Sequence, residues 1–269
     1  ARILAVQGTL GDVEATVASL CQQFLSDIFA AQRLRPLIER LASADDEDIA
    51  FERLAWPLAT SYRIATKGSP NVSAQLDAYF KMFELLAAFN SITLLSAARQ
   101  LLPGLPPEAG KTMETDIWAG EKAKYSKTSM GLWVALYRRL ANVFAKMPDD
   151  TKAVLPLGRE FYAEMCHQDV LNALDLIPQK RNKMGGAAHG GITPEILAKK
   201  EVAELHPILQ KAFARILPVL SAVRLVYPES MRKTDGLYTI KAKVLEGTHY
   251  PFAEEEIQSE TDMNTDRLY

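Results

Sequence analysis

The sequence predicts an all-α helical bundle with a short β extension at its C-terminal end. Three observations carry this. Apolar residues recur at spacings of three and four through most of the chain, the period of a helix face. Proline and glycine punctuate the chain at intervals suited to helices of ordinary length. After Pro228 the period changes to two, as Tyr238, Ile240, Ala242 and Val244 alternate with Thr239, Lys241 and Lys243.

In chain order, Val13, Val17, Leu20, Phe24, Ile28 and Ala31 predict one or two helices over residues 12–42. The run Asp45-Asp46-Glu47-Asp48 interrupts them and reads as a solvated loop or a helix N-terminus. Pro57, Gly68 and Pro70 predict an extended connector over 54–72. Ser73 is then an expected N-cap for a helix reaching Leu102, apolar on most sides and so central to its bundle. Its most apolar stretch, Leu85–Ala98, carries Asn90 and Ser91 and reads as a buried core helix rather than a membrane span. Pro106-Pro107 opens an expected loop of roughly 20 residues.

The next helix is expected from Ser129 to Met147, with Leu132, Leu136, Leu140, Val143 and Met147 inward and Arg138 and Arg139 solvated. Another runs from Gly158 to Lys183, kinked or restarted at Pro178 and ended by Gly185-Gly186. Thr193-Pro194-Glu195 begins the last helix, which Pro207 and Pro218 should kink or divide. These elements give an organisation of 1–70 (helical region and connector), 71–228 (bundle) and 229–269 (β extension). The terminal Asp266-Arg267-Leu268-Tyr269 reads as a strand just begun, and the chain lacks an initiator Met, so a longer polypeptide is expected.

Composition narrows the function classes. Lys and Arg number 31 against 33 Asp and Glu, a net charge of −2, which excludes a generally basic nucleic-acid coat. Hydrophobic residues make up 48% of the chain, enough to build a core and to exclude wholesale disorder. Two cysteines, Cys21 and Cys166, exclude a disulfide scaffold and point to the cytoplasm. The phosphate loop, the dinucleotide fingerprint, HExxH, CxxC and GxSxG are all absent.

One segment concentrates chemistry: Gln179-Lys180-Arg181-Asn182-Lys183-Met184-Gly185-Gly186-Ala187-Ala188-His189-Gly190-Gly191. Arg offers a planar fork for phosphate oxygens. His can give or take a proton near neutral pH. Together they are a minimal kit for cleaving RNA without metal or cofactor, with Lys180, Asn182 and Lys183 as RNA-binding neighbours. A cationic helix C-terminus is also favourable with no function attached.

At this segment the sequence resembles the HEPN (higher eukaryotes and prokaryotes nucleotide-binding) superfamily, a helical bundle carrying Arg, four to six residues, then His. Arg181-Asn182 matches the start of that motif and His189-Gly190 its end. The stretches Ser129–Leu136 and Gly158–Tyr162 are similar to elements that precede the motif in large bacterial members, so the likeness spans roughly 71–228. It implies a metal-independent endoribonuclease of bacterial antiviral defence or toxin type. Two protomers would share a composite site in which Arg181 stabilises phosphate, Asn182 contacts or orients it and His189 transfers a proton. It also implies an antitoxin or defence-system partner. No run of about 18 apolar residues lacks charges, so no membrane span is expected. Seven residues separate Arg181 from His189, one more than usual. On an unbroken helix that is about 12 Å along the axis, too far for one phosphate, unless Gly185-Gly186 folds the chain back. Gly191 stands where a subset of toxins carries Tyr. Two further readings are a non-catalytic dimerisation or sensing module of a larger defence protein, and a bundle that binds a nucleotide without cutting it.

Other polar residues read as structural. His167 is expected to be partly buried, His206 to mark a helix end or kink, and His249 to lie in a loop. Glu160 and Glu164 share a helix face and should pair with Arg159 or the basic cluster. Trp56, Trp118 and Trp133 read as packing residues.

Overall fold

The computed structural model describes residues 52–120, 122, 124, 129–148, 151–152, 155, 157–184, 194–260, 262–263 and 265. The expected helices over 12–42, the acidic run at 45–48 and the strand start at 266–269 lie outside them. Helices dominate, and a three-stranded antiparallel sheet closes the described chain.

Helix α1 (Trp56–Arg63) corrects the expected connector. Pro57 occupies its first turn, where no amide hydrogen is required and the fixed φ already suits a helix. Leu58, Ala59 and Tyr62 turn inward, and one π-type turn (Ile64–Gly68) extends the stripe to Ala65. Helix α2 (Val72–Leu101) is capped by Asn71, not Ser73: the Asn71 side chain accepts from the Ala74 amide at 2.9 Å. By length and composition α2 could cross a membrane. In the fold it packs against α1 and against three later helices, with Asn90 and Ser91 fully buried. The Ser91 hydroxyl donates to the Trp133 carbonyl at 3.2 Å.

Where a loop was expected, Pro107 starts helix α3 (Pro107–Trp118). Proline is again in the first turn, and Met113 and Ile117, one turn apart, are buried. Helix α4 (Met130–Lys146) matches its expected span. Its buried stripe contains Leu136 and Leu140 but turns toward Met130, Val134, Tyr137, Ala141 and Phe144, leaving Leu132, Val143 and Met147 half-buried. Arg139 is half-buried rather than solvated and donates to the Trp118 carbonyl at 3.1 Å, satisfying the C-terminal end of α3. Arg138 is exposed and pairs with Asp175.

The expected helix over 158–183 is two: α5 (Gly158–Met165) and α6 (Gln168–Lys183). The break falls at Cys166-His167, not at Pro178, because the extended His167 caps α6 with a ring nitrogen that accepts from the Asp169 amide at 3.2 Å. Pro178 stays inside α6, and Pro207 and Pro218 stay inside an undivided α7 (Glu195–Leu220). The Thr193 cap lies outside the described residues. Helix α7 buries Leu205, Leu209, Phe213, Ile216 and Leu220 against α2 and α6, and Phe213 meets Tyr62 of α1 at 4.7 Å between ring centroids.

Strands β1 (Val226–Thr234), β2 (Leu237–Val244) and β3 (Ala253–Ser259) pair antiparallel in chain order. Asp235 and Gly236 turn β1 into β2 with φ of 52° and 87°, the left-handed pair a two-residue hairpin needs. The alternation expected in β2 holds: Ile240, Ala242 and Val244 are buried with Val226, and Tyr238, Ile257 and Met263 pack on them. Lys241 and Lys243 stand opposite Glu256 and Glu254 of β3. The sheet is tied to the start of α1 by the Trp56 amide on the Leu245 carbonyl and the Gly247 amide on the Leu54 carbonyl, both 2.8 Å. All these elements belong to one compact unit.

Candidate functional site

The basic cluster occupies the last turn of α6, where the helix dipole favours cations. Helical geometry points its members in different directions. Lys180 faces α7, where its ammonium donates to Glu201 at 2.9 Å and, more closely, to Glu204. These acids are three positions apart on α7 and so share a face. Burial opposes the charge on Lys180, but the hydrogen bonds to Glu204 and Glu201 outweigh it and its pKa lies above the ordinary lysine value. The same bond holds the exposed Glu204 below the usual carboxylate range.

Arg181, the next residue, faces α2 instead. Its guanidinium stands 3.7 Å from Glu84, and both side chains are about one-third exposed. That separation is an ion pair without a short hydrogen bond. Asn182 and Lys183 are exposed. His189 and the glycines of 185–191 lie outside the described residues.

The α6 end therefore brings Lys180 together with Glu201 and Glu204, and Arg181 with Glu84. It does not bring Lys180 and Arg181 onto one anion. Of the three cations Lys180, Arg181 and Lys183, the first two are met by carboxylates. Sequence spacing could suggest that Glu201 and Glu204 act together, since they sit one turn apart. Nothing in the local sequence signals Glu84, which precedes Arg181 by almost a hundred positions.

Other polar residues resolve into structural roles. His206 lies in the middle of α7, not at its end, and its Nδ1 is 2.6 Å from the Tyr79 hydroxyl of α2. Glu164 pairs with Arg215 of α7 at 2.6 Å rather than with Arg159 or the basic cluster. His249 lies in the loop between β2 and β3, as expected. Burial pushes the Cys166 thiol up to about 12, the reverse of what a nucleophilic cysteine needs. Among the described residues no three His, Cys, Asp or Glu side chains group as a metal site. A groove of about 250 Å³, lined in part by Phe89, Ile92, Gln100, Leu157 and Arg224, contains none of the cluster residues.

This chain matches no family model, no curated protein and no solved structure. What supports a function is therefore the chemistry of the α6 end.

Proposed function

We propose that residues 71–228 form a HEPN-like bundle that cleaves RNA without a metal ion, through Arg181 and His189 paired across a homodimer. The observation that carries this reading is the placement of Arg181. It sits half-exposed in the last turn of α6, held by one long ion pair among the described residues, eight positions before His189 in the sequence. A guanidinium so lightly held can exchange Glu84 for a phosphate, which offers a bidentate fit that a 3.7 Å contact lacks.

In this mechanism the ribose 2′-hydroxyl attacks the adjacent phosphorus and the 5′-oxygen of the next nucleotide leaves. The products are a 2′,3′-cyclic phosphate and a free 5′-hydroxyl. His189 moves a proton at the attacking or the leaving oxygen. Arg181 stabilises the charge that builds on the phosphorane-like transition state. Asn182 and Lys183, both exposed beside it, supply further contacts to the strand. Sharing the site between two chains removes the reach problem of seven intervening residues. An antitoxin or defence partner would hold such an activity in check.

The test is RNA cleavage in excess EDTA by the parent chain, Arg181→Ala and His189→Ala. Both substitutions should lower the rate at least a hundredfold, on the order expected for one proton-transfer or charge-stabilising group. Cleavage unchanged in both variants would sink the assignment.

A second reading has its own support. Lys180 is fully engaged by Glu201 and Glu204, and those acids with Glu84 put three carboxylates around the cluster. Such a surface suits a non-catalytic dimerisation or sensing module. A chain that sediments as a dimer and neither cuts nor binds RNA would favour it.

A further inference from the structure

A second feature lies away from the α6 end. Trp56 and Arg63 fall on one exposed side of α1, two helical turns apart. The loop between β2 and β3 runs beside them. Phe252 meets Trp56 edge to face at 5.8 Å between centroids, and Tyr250 meets Phe252 in the same way at 5.6 Å. At the other end Arg63 donates to the Thr248 hydroxyl at 3.4 Å.

Packing accounts poorly for this strip. Trp56 is 40% exposed and Tyr250 84% exposed, so the terminal ring buries little of its own surface. The strip joins three aromatic rings in series, with a cation at its other end. Arg53 is opposed by Glu246 at 3.7 Å, whereas Arg63 has no ion pair among the described residues. His249 is exposed in the same loop.

We propose that Trp56, Tyr250, Phe252 and Arg63 form a stacking platform for single-stranded RNA. Bases would stack on the exposed faces of Tyr250 and Trp56, which is tolerant of sequence because every base has a π-face. The Arg63 fork would take a backbone phosphate. A proline-rich peptide could also use an aromatic strip, but the unopposed guanidinium favours the anionic strand. The choice of RNA over DNA rests on the proposed cleavage activity; the platform itself does not.

The experiment measures binding of fluorescently labelled oligouridylate, its abasic counterpart and decaproline by anisotropy. The full chain carries His189→Ala so that binding is read without cutting. Tyr250→Ala, at an exposed position that does not support the core, should weaken oligouridylate binding about tenfold. Arg63→Gln should lower the salt dependence by about one phosphate contact. The abasic strand should bind more weakly than oligouridylate. An affinity unchanged in both Tyr250→Ala and Trp56→Ala, equal binding of the abasic strand, no RNA binding at all, or a preference for decaproline would each overturn the platform. Cleavage by the parent chain is scored separately, so loss of the Arg181–His189 reading and loss of the platform give different results.

Discussion

Tyr79 and His206 join α2 to α7 through a 2.6 Å hydrogen bond between the phenol oxygen and Nδ1. Their rings meet edge to face at 6.2 Å between centroids, and Tyr79 is almost fully buried. This side-chain bond is one of the polar ties between the two long helices. Tyr79→Phe keeps the ring and removes this bond from Nδ1. The expected loss is about 1 kcal/mol, seen as a lower urea midpoint with an unchanged m-value. An unchanged midpoint would mean that water replaces the phenol at no cost.

Lys180 provides a pH signature. Its pKa is raised, so its contribution is present below the ordinary lysine value of 10.5 and is lost as pH rises through the folded value. Glu204 is lowered by the same pair, so its contribution is present above 4.5 and is lost as pH falls through its folded value. Lys180→Met removes both dependences. Its stability curve should be flatter than the parent's on the acid limb below about pH 4.5 and on the alkaline limb above about pH 10.5. Chemical denaturation across that range checks it, and parallel curves for the two proteins would refute the linkage.

The helices of the core were legible in the sequence because burial imposes a period. Val72–Leu101, Met130–Lys146 and Glu195–Leu220 all carry apolar residues every three or four positions. Helices α1 and α3 were missed because Pro57 and Pro107 read as breakers, although each sits in a first turn. Strand β2 was legible from alternation. Strand β3, Ala253-Glu254-Glu255-Glu256-Ile257-Gln258-Ser259, was not, because a half-exposed edge strand need bury only one or two side chains. At the candidate site the cations were visible and their partners were not. Glu84, Glu201 and Glu204 reach the cluster only through the packing of α2 and α7, which no local pattern encodes. Trp56 read as a packing residue for a related reason: its exposure depends on where the loop after β2 lies.

Glu246 tests whether opposite charges nearby are enough to favour ionisation. Arg53 lies 3.7 Å and Arg224 3.8 Å away. Burial nevertheless raises the Glu246 pKa above 4.5, because lost hydration outweighs two long contacts. Arg224 is engaged more closely by Glu255, with one bond at 2.9 Å. A raised carboxyl pKa means that the folded state binds the proton more readily, so stability falls as pH rises from 4.5 through the folded value. Glu246→Gln should therefore be at least as stable as the parent at pH 7. The difference should shrink as the pH is lowered toward 4.5. Thermal melts at the two pH values decide this; a variant clearly less stable at pH 7 would show that the arginines do stabilise the carboxylate.

Asn90 is the most demanding position in the core. It is fully buried in the middle of α2, where neither its amide nitrogen nor its oxygen makes a hydrogen bond of ordinary geometry among the described residues, although the buried Tyr137 phenol of α4 lies close enough to interact with it. The neighbouring Ser91 satisfies its hydroxyl on the Trp133 carbonyl, so the helix tolerates a polar residue there when a partner exists. A buried amide without one costs roughly 1–3 kcal/mol. Leucine is close in size, suits a helix and has nothing to satisfy. Asn90→Leu is thus expected to raise stability by about 1 kcal/mol or more, read as a higher urea midpoint. A lower midpoint would show that the amide is engaged, by the neighbouring Tyr137 phenol or by an ordered water, since replacing a bridged polar group with an apolar one forfeits the bridge. The same measurement on Ser91→Ala, where a protein partner is present, should give a loss instead of a gain.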